Sequence, residues 1–127
     1  MSPIRMSRLE AGIHVVLEFT EVWNRRDVEA MMRLMSDDCI LENTDPAPDG
    51  ARYLGKEAVA RFWEDFFRNS PDAHIEIEEI FSLGLRCIMR WRYDWVDAEG
   101  KKEYIRGVHL IKVKDGSICE MLSYAKR

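Results

Sequence analysis

The spacing of apolar residues predicts helices in the first part of the chain. Apolar positions three or four residues apart share one face of a helix, and this spacing continues over about residues 7–25. Ser7 and Glu10 match a capping box at the start of this segment. Asp27 can cap a second, shorter helix that continues through about Met35. The apolar stripes of the two helices are Leu9, Ile13, Val16, Leu17 and Trp23, then Met31, Leu34 and Met35.

A short strand, a loop and a third helix are predicted next. Residues 39–43 alternate between two faces, as a strand does. Two prolines, two aspartates and a glycine then indicate a loop over residues 44–50. Helical spacing returns over about residues 56–69. This third helix has a strongly aromatic face, made by Val59, Phe62, Trp63, Phe66 and Phe67.

The remainder of the chain alternates with period two, which is typical of β-strands. We predict strands over residues 74–82, 85–96, 102–114 and 117–126. Turns are expected at Leu83-Gly84, at residues 97–100 and at Asp115-Gly116, where the last pair is a strong hairpin signal. The order is helix, helix, strand, helix and four hairpin-connected strands. It predicts one α+β domain over residues 1–127, with a curved, mainly antiparallel sheet and helices across one face.

Composition and charge narrow the function classes. The 127 residues are 46% hydrophobic and carry a net charge of −4, which gives no electrostatic attraction for nucleic acid. The sequence has neither a signal-peptide pattern nor an apolar run long enough for a membrane span. Cys39, Cys87 and Cys119 are widely spaced in apolar stretches, so we expect free buried thiols and a cytoplasmic protein.

His109 is the best polar candidate for chemistry. Alternation along the strand places it on the same face as Gly107, Ile111 and Val113, which looks buried. An imidazole titrates near neutral pH and could shuttle protons there. The alternative is a neutral core histidine that is hydrogen-bonded to a neighbour.

Several stretches resemble a SnoaL-like domain of the nuclear transport factor two superfamily, which includes ketosteroid isomerases and polyketide cyclases. The stretches are VWNRRDVEAMMRLMSDDCILEN (22–43), YLGKEAVARFW (53–63), MRWR (89–92) and RGVHLIKVKDGSICEMLSY (106–124). The resemblance covers nearly the whole chain. It implies a cystatin-like cone in which the sheet wraps around three N-terminal helices, a pocket at the wide end, and a homodimer.

The resemblance also implies a location for the site. The three positions that serve catalysis in the ketosteroid isomerases correspond to Phe19, Asn43 and His109, and all three residues differ from those of the isomerases. An amide is no general base and a phenyl ring donates no hydrogen bond, so steroid isomerisation by that mechanism is not expected. Asp45, two residues beyond Asn43, could supply the carboxylate. The alternatives are that Asn43 only caps the following turn and that Asp45 only shapes it.

We expect the pocket wall to be apolar and the chemistry to need no cofactor or metal. His14, His74 and His109 are too scattered for a zinc motif. Proton transfer next to a carbonyl needs only a base and a hydrogen-bond donor. The predicted catalytic residues are His109 and Asp45. The predicted ligand-binding residues are Asn43, Phe19, Tyr53, Trp63, Trp91, Tyr93 and Met121.

Three hypotheses about function follow from the sequence. The first is a pocket protein that carries out isomerisation, cyclisation or hydration on an apolar, ring-sized organic molecule. The second is a pocket that binds such a molecule without turnover. The third, a module that docks a partner protein, is disfavoured by charged positions on the outer face of the sheet, namely Glu76, Glu78, Arg90, Arg92 and Asp94.

Overall fold

The computed structural model describes residues 8–126, with three helices and six strands in that range. The helices are α1 (Arg8–Asn24), α2 (Val28–Arg33) and α3 (Lys56–Asn69). The strands are β1 (Met35–Glu42), β2 (Arg52–Leu54), β3 (His74–Leu83), β4 (Arg86–Val96), β5 (Lys102–Lys114) and β6 (Ser117–Lys126). The predicted capping box includes Ser7, which lies outside the described residues.

The six strands form one curved sheet in the order β2-β1-β6-β5-β4-β3. All neighbours are antiparallel except β1 and β6, which run parallel. The β1–β6 pairing is possible because α3 and the three following strands lie between them in sequence and bring the chain back to β1. The predicted α+β class with a mainly antiparallel sheet is confirmed.

Two predicted boundaries at the start of the sheet were wrong. The second helix ends at Arg33 rather than near Met35, and Met35 already pairs with Ile118 of β6. The backbone N–H of Ile118 also donates to the carbonyl of Leu34, at 2.8 Å. Pairing with β6 therefore extends β1 toward the N-terminus beyond the predicted start at Cys39. The three-residue β2 was not predicted, because so short an edge strand shows no alternation.

The core lies between the concave face of the sheet and the helices. Val16, Trp23 and Trp63 contribute from α1 and α3, and Met121 and Ile111 contribute from the sheet. Asn24, at the end of α1, joins the two layers: its side-chain amide donates to the carbonyl of Ile75 at 2.9 Å and accepts from the N–H of Ile75 at 2.8 Å. These bonds satisfy backbone groups on β3 and fix the angle at which α1 crosses the sheet.

The outer face of the sheet combines ion pairs with an apolar row. Arg106 pairs with Glu78 at 3.1 Å, and Arg90 pairs with Glu79 at 3.6 Å. Cross-strand register across β3, β4, β5 and β6 aligns one row of apolar residues between these charges, formed by Phe81, Ile88, Leu110 and Leu122. The outer face is therefore less uniformly charged than the sequence pattern indicated.

Candidate functional site

A cavity of about 250 Å³ lies between the sheet and the helices α1 and α3. One side is formed by the inner faces of β3, β4, β5 and β6, and the segment after β1 borders it at residues 43–45. Its aromatic lining comes from Phe19, Trp23, Phe62, Trp63, Phe66, Trp91 and Tyr93. A long hydrophobic helix face and a curved sheet thus leave a hollow between them, as the sequence predicted.

The aromatic residues on α1 and α3 form one contiguous cluster. Trp23 meets Trp63 edge to face, with ring centroids 5.9 Å apart, and contacts Phe67 at 5.0 Å. Phe62 contacts the Trp63 ring at 4.8 Å. Edge-to-face and tilted contacts of this kind stabilise aromatic pairs beyond their area burial. The helical side of the cavity is therefore a wall of mutually supported rings.

The polar groups of the cavity lie in neighbouring positions on the sheet. Ser123 of β6 pairs with His109 of β5 across the strands, and the Ser123 hydroxyl lies 2.8 Å from the His109 Nδ1. Glu42 pairs with Leu122, so Asn43 follows at the level of Ser123. Asn43, Ser123 and His109 all line the cavity. We call these three residues the polar row.

The environment of His109 favours its neutral form. Burial among apolar groups lowers the pKa of His109 from 6.5 to about 3, because the surroundings cannot solvate an imidazolium. The Trp91 ring lies beside it, with centroids 5.2 Å apart. Ser123 can satisfy Nδ1 without a charge. At neutral pH His109 is therefore a hydrogen-bonding group and not a cationic acid.

Trp91 has its place in the cavity wall because Gly107 lies opposite it on β5. A Cβ atom at position 107 would come within 2.4 Å of Trp91 Cζ2 and within 2.3 Å of the Tyr124 carbonyl oxygen. Both contacts are far below van der Waals distance. Glycine is therefore required at this position for the indole ring to lie against the sheet.

Asn43 has a structural contact as well as a position in the cavity. Its Oδ1 accepts a hydrogen bond from the backbone N–H of Ala51 at 2.8 Å, and its own N–H donates to the carbonyl of Ala51 at 3.1 Å. These bonds close the loop between β1 and β2. The amide oxygen is thus engaged. The Nδ2 amide group, a hydrogen-bond donor, is the part of Asn43 that suits a ligand. Asp45 lies further along this loop and also lines the cavity.

Tyr93 lines the cavity from β4, the strand beside the one that carries His109. Its ring stacks on Trp95 at 5.0 Å and meets Trp23 edge to face at 6.2 Å. Burial raises the pKa of Tyr93, and a hydrogen bond with Ser70 opposes that rise. Tyr93 is therefore a neutral phenol with a partner of its own.

The structure brings most of the predicted site residues together. Phe19, Asn43, Asp45, Trp63, Trp91, Tyr93, His109 and Met121 all line the cavity. Tyr53 is the exception: it lines an open groove along α3 that shares Phe62 and Phe66 with the cavity, and its ring packs against Phe62 at 4.7 Å. The roles predicted for these residues stay predictions.

Ser123 was missed by the sequence reading. Alternation places Ser123 on the same face of the strand as Met121, but only its register against His109 reveals the contact. Thr20 was also not predicted as a site residue. It lines the cavity from α1, where its hydroxyl donates to the carbonyl of Val16 at 3.0 Å.

Residues 8–126 contain neither a candidate metal site nor a helix suited to crossing a membrane. No group of three or more His, Cys, Asp or Glu side chains there is arranged to hold a metal ion. Among the helices of the same range, none has both the length and the apolar character that crossing a membrane requires.

Comparison with known proteins identifies relatives. A nuclear transport factor two-like protein of unknown function from Mesorhizobium loti is 35% identical, covers 100% of both chains and superimposes with a TM-score of 0.79. A candidate SnoaL-like polyketide cyclase from Jannaschia sp. CCS1 is 18% identical over 98% of this chain and 92% of its own, with a TM-score of 0.81. TerC, crystallised with polyporic acid, is 17% identical over 91% of this chain and 92% of its own, with a TM-score of 0.80.

None of the curated proteins matches the sequence significantly. The model of the SnoaL-like domain, by contrast, matches residues 16–121. That range begins in α1 and ends in β6, so it includes the residues that line the cavity from Phe19 to Met121. The chain belongs to the SnoaL-like domain family.

Proposed function

We propose that the chain binds an apolar, ring-sized organic molecule in the cavity between α1, α3 and the sheet. The observation that carries this proposal is the cavity itself, about 250 Å³ in volume with a largely apolar lining in which seven side chains are aromatic. An engineered apolar cavity of about 150 Å³ holds benzene, and pockets for drug-sized ligands begin near 300 Å³. One or two fused rings are therefore the appropriate size.

The charge of the lining supports an uncharged ligand. Among the described residues that line the cavity, Asp45 is the one with a formal charge, and no lysine or arginine is present. A carboxylate or phosphate would lose its hydration without gaining a cation. The names of two relatives support an organic ligand but not its charge, since one is a candidate polyketide cyclase and another was crystallised with polyporic acid.

Isothermal titration with 1-tetralone, an uncharged bicyclic ketone, tests binding. We expect saturable binding to the wild type with a stoichiometry of one per chain. Ile105→Trp should abolish it, because Ile105 lines the cavity and the larger side chain would fill it. Ile77→Trp is the matched control, since Ile77 is also half-buried on the sheet but lies outside the lining. No binding to the wild type at millimolar concentration would refute the proposal.

Proton-transfer catalysis is the second candidate, favoured by the His109–Ser123 pair beside the aromatic wall. His109 would donate to a carbonyl oxygen while Asp45 removes a proton from the adjacent carbon, without a cofactor. Exchange of the α-hydrogens of 1-tetralone in D₂O, followed by NMR, measures this step. An enzyme should lose exchange in His109→Ala while binding stays measurable, weaker than in the wild type by about the effect of one hydrogen bond. Equal exchange in the presence and absence of the wild-type protein would contradict catalysis and favour a cavity that binds its ligand without turnover.

We also propose that two copies associate through the outer face of the sheet. The apolar row of Phe81, Ile88, Leu110 and Leu122 supports this, because its flanking charges already pair within the chain. The proposed compartment is the cytoplasm, where the free thiols Cys39, Cys87 and Cys119 would stay reduced.

A further inference from the structure

The contact between Ser123 and His109 has a consequence for what the cavity recognises. A neutral imidazole carries one proton, on either Nδ1 or Nε2, and the two tautomers offer opposite groups to a ligand. The Ser123 hydroxyl lies 2.8 Å from Nδ1, so it engages that nitrogen in either tautomer. The partner of Nδ1 thus decides whether Nε2 is a donor or an acceptor.

We propose that Ser123 is a positioning residue whose hydroxyl donates to Nδ1 of His109, so that the ring carries its proton on Nε2 and presents an N–H donor to an uncharged carbonyl oxygen of the ligand. This inference rests on the proposed function, since it names the ligand group that the cavity takes. It assigns a role to a residue that the sequence did not single out.

One chemical argument supports the donor direction, and two observations fix the geometry of the contact. The lone pair of an imidazole nitrogen is a stronger acceptor than a hydroxyl oxygen, so the hydroxyl donates in the stronger of the two arrangements. The neighbouring strand positions fix the geometry, because Ser123 and His109 are cross-strand partners on adjacent strands. The Trp91 ring, packed beside the imidazole, limits the directions in which the ring can turn.

The surroundings of His109 also favour an uncharged ligand group. Of the residues that line the cavity in the described part of the chain, Asp45 and Tyr93 are the other ionisable ones. Asp45 is on the loop after β1, and Tyr93 is hydrogen-bonded to Ser70. Neither supplies positive charge, so the imidazole N–H would meet a carbonyl rather than a carboxylate. Burial lowers the pKa of His109, so the ring is neutral when the ligand binds.

The tautomer is measured without any ligand. In protein labelled with ¹⁵N-histidine, we expect His109 at pH 7 to show a pyridine-type Nδ1 and a pyrrole-type Nε2. Ser123→Ala should move both signals toward intermediate values as the tautomers interconvert, and Ser123→Thr, which keeps the hydroxyl, should restore them. His14 and His74 are internal controls because both are exposed. A pyrrole-type Nδ1 in the wild type, or unchanged signals in Ser123→Ala, would overturn the proposal.

The ligand group is tested with 1-tetralone and tetralin, which differ in one carbonyl. Ser123→Ala should weaken 1-tetralone binding about three- to tenfold, the effect of one hydrogen bond, and change tetralin binding less than twofold. Ser123→Thr should bind both as the wild type does. An equal effect on both compounds would overturn the assignment of the carbonyl while leaving a binding cavity. Failure of both compounds to bind the wild type would refute the proposed function itself.

Discussion

His109 shows how one polar side chain can be placed in an apolar interior without a charge. It lies on the inner face of β5 beside Trp91, and its Nδ1 is 2.8 Å from the Ser123 hydroxyl. Because no charged partner is needed, the residue can stay neutral and hydrogen-bonded. At the scale of single residues, the cavity combines such neutral polar groups with a surrounding aromatic surface.

The lowered pKa of His109 predicts a specific loss of stability in acid. The folded pKa is about 3 and the unfolded value is 6.5, so the unfolded chain binds an extra proton between these limits. The contribution of neutral His109 to the free energy of unfolding is therefore fully present above pH 6.5 and declines as the pH falls below that value. Between pH 7 and pH 5 the free energy of unfolding should fall more in the wild type than in His109→Gln, by on the order of 2 kcal/mol.

Urea unfolding at the two pH values measures this difference. His74→Gln is the matched control, because His74 is exposed on β3. It should show the same pH dependence as the wild type. An identical pH dependence in His109→Gln and the wild type would show that His109 gains a proton as readily in the folded chain as in the unfolded one.

The close packing around Gly107 predicts that one added methyl group lowers the free energy of unfolding. Gly107→Ala places a Cβ against the Tyr124 carbonyl and the Trp91 ring, so we expect the free energy of unfolding to fall by about 2 kcal/mol or more. Gly12→Ala is the contrasting variant, since its nearest neighbour, Cys87 Sγ, would be at 3.4 Å and alanine favours the helix. It should be neutral or stabilising. Equal stability of Gly107→Ala and the wild type in chemical denaturation would contradict the packing described for Trp91.

The helices and strands show which parts of the fold can be read from a sequence. The predicted limits of α3, β5 and β6 agree with the structure, because each has a long, regular pattern bounded by Gly, Pro or Asp. β2 and the start of β1 were missed or misplaced. Both depend on pairing with distant strands, and local pattern carries no signal for such pairing.

The junction of α1 with β3 depends on the side chain of Asn24, so its removal should destabilise the fold. Asn24→Ala removes two hydrogen bonds to Ile75 and leaves its N–H and carbonyl without that partner. We expect a loss of about 2–3 kcal/mol in the free energy of unfolding. Asn69→Ala, at the exposed end of α3, is the control and should change it by less than 0.5 kcal/mol, in the range of surface substitutions. Thermal or urea unfolding that ranks the two variants equally would show that this junction contributes little.

At the scale of the whole molecule, the sequence predicted the location of the cavity, but it did not predict the polar contacts inside it. The resemblance placed Phe19, Asn43 and His109 at the site, and the alternation of the strands placed Trp91, Tyr93 and Met121 on the same face. It did not reveal the contact of Ser123 with His109, because that contact depends on the register of β5 against β6. It also could not place Tyr53, whose neighbours come from α3.

The proposed association of two chains is tested by their mass in solution. Light scattering should give about twice the 14.9 kDa of one chain. Leu110→Lys puts a charge in the middle of the apolar row and should give a single-chain mass, because an unpaired charge would be buried in the interface. Leu54→Lys, on the edge strand β2, should leave the mass unchanged. A single-chain mass for the wild type would contradict the proposed dimer.

The most direct test of the cavity is a crystal structure of the chain grown with 1-tetralone. The account predicts one ring system between Trp63 and Trp91, with its carbonyl oxygen about 2.7–3.2 Å from His109 Nε2. The Ser123–His109 contact should be retained. A cavity closed by its own side chains, or one that stays empty at saturating 1-tetralone, would contradict the claim that this chain holds a ring-sized molecule there.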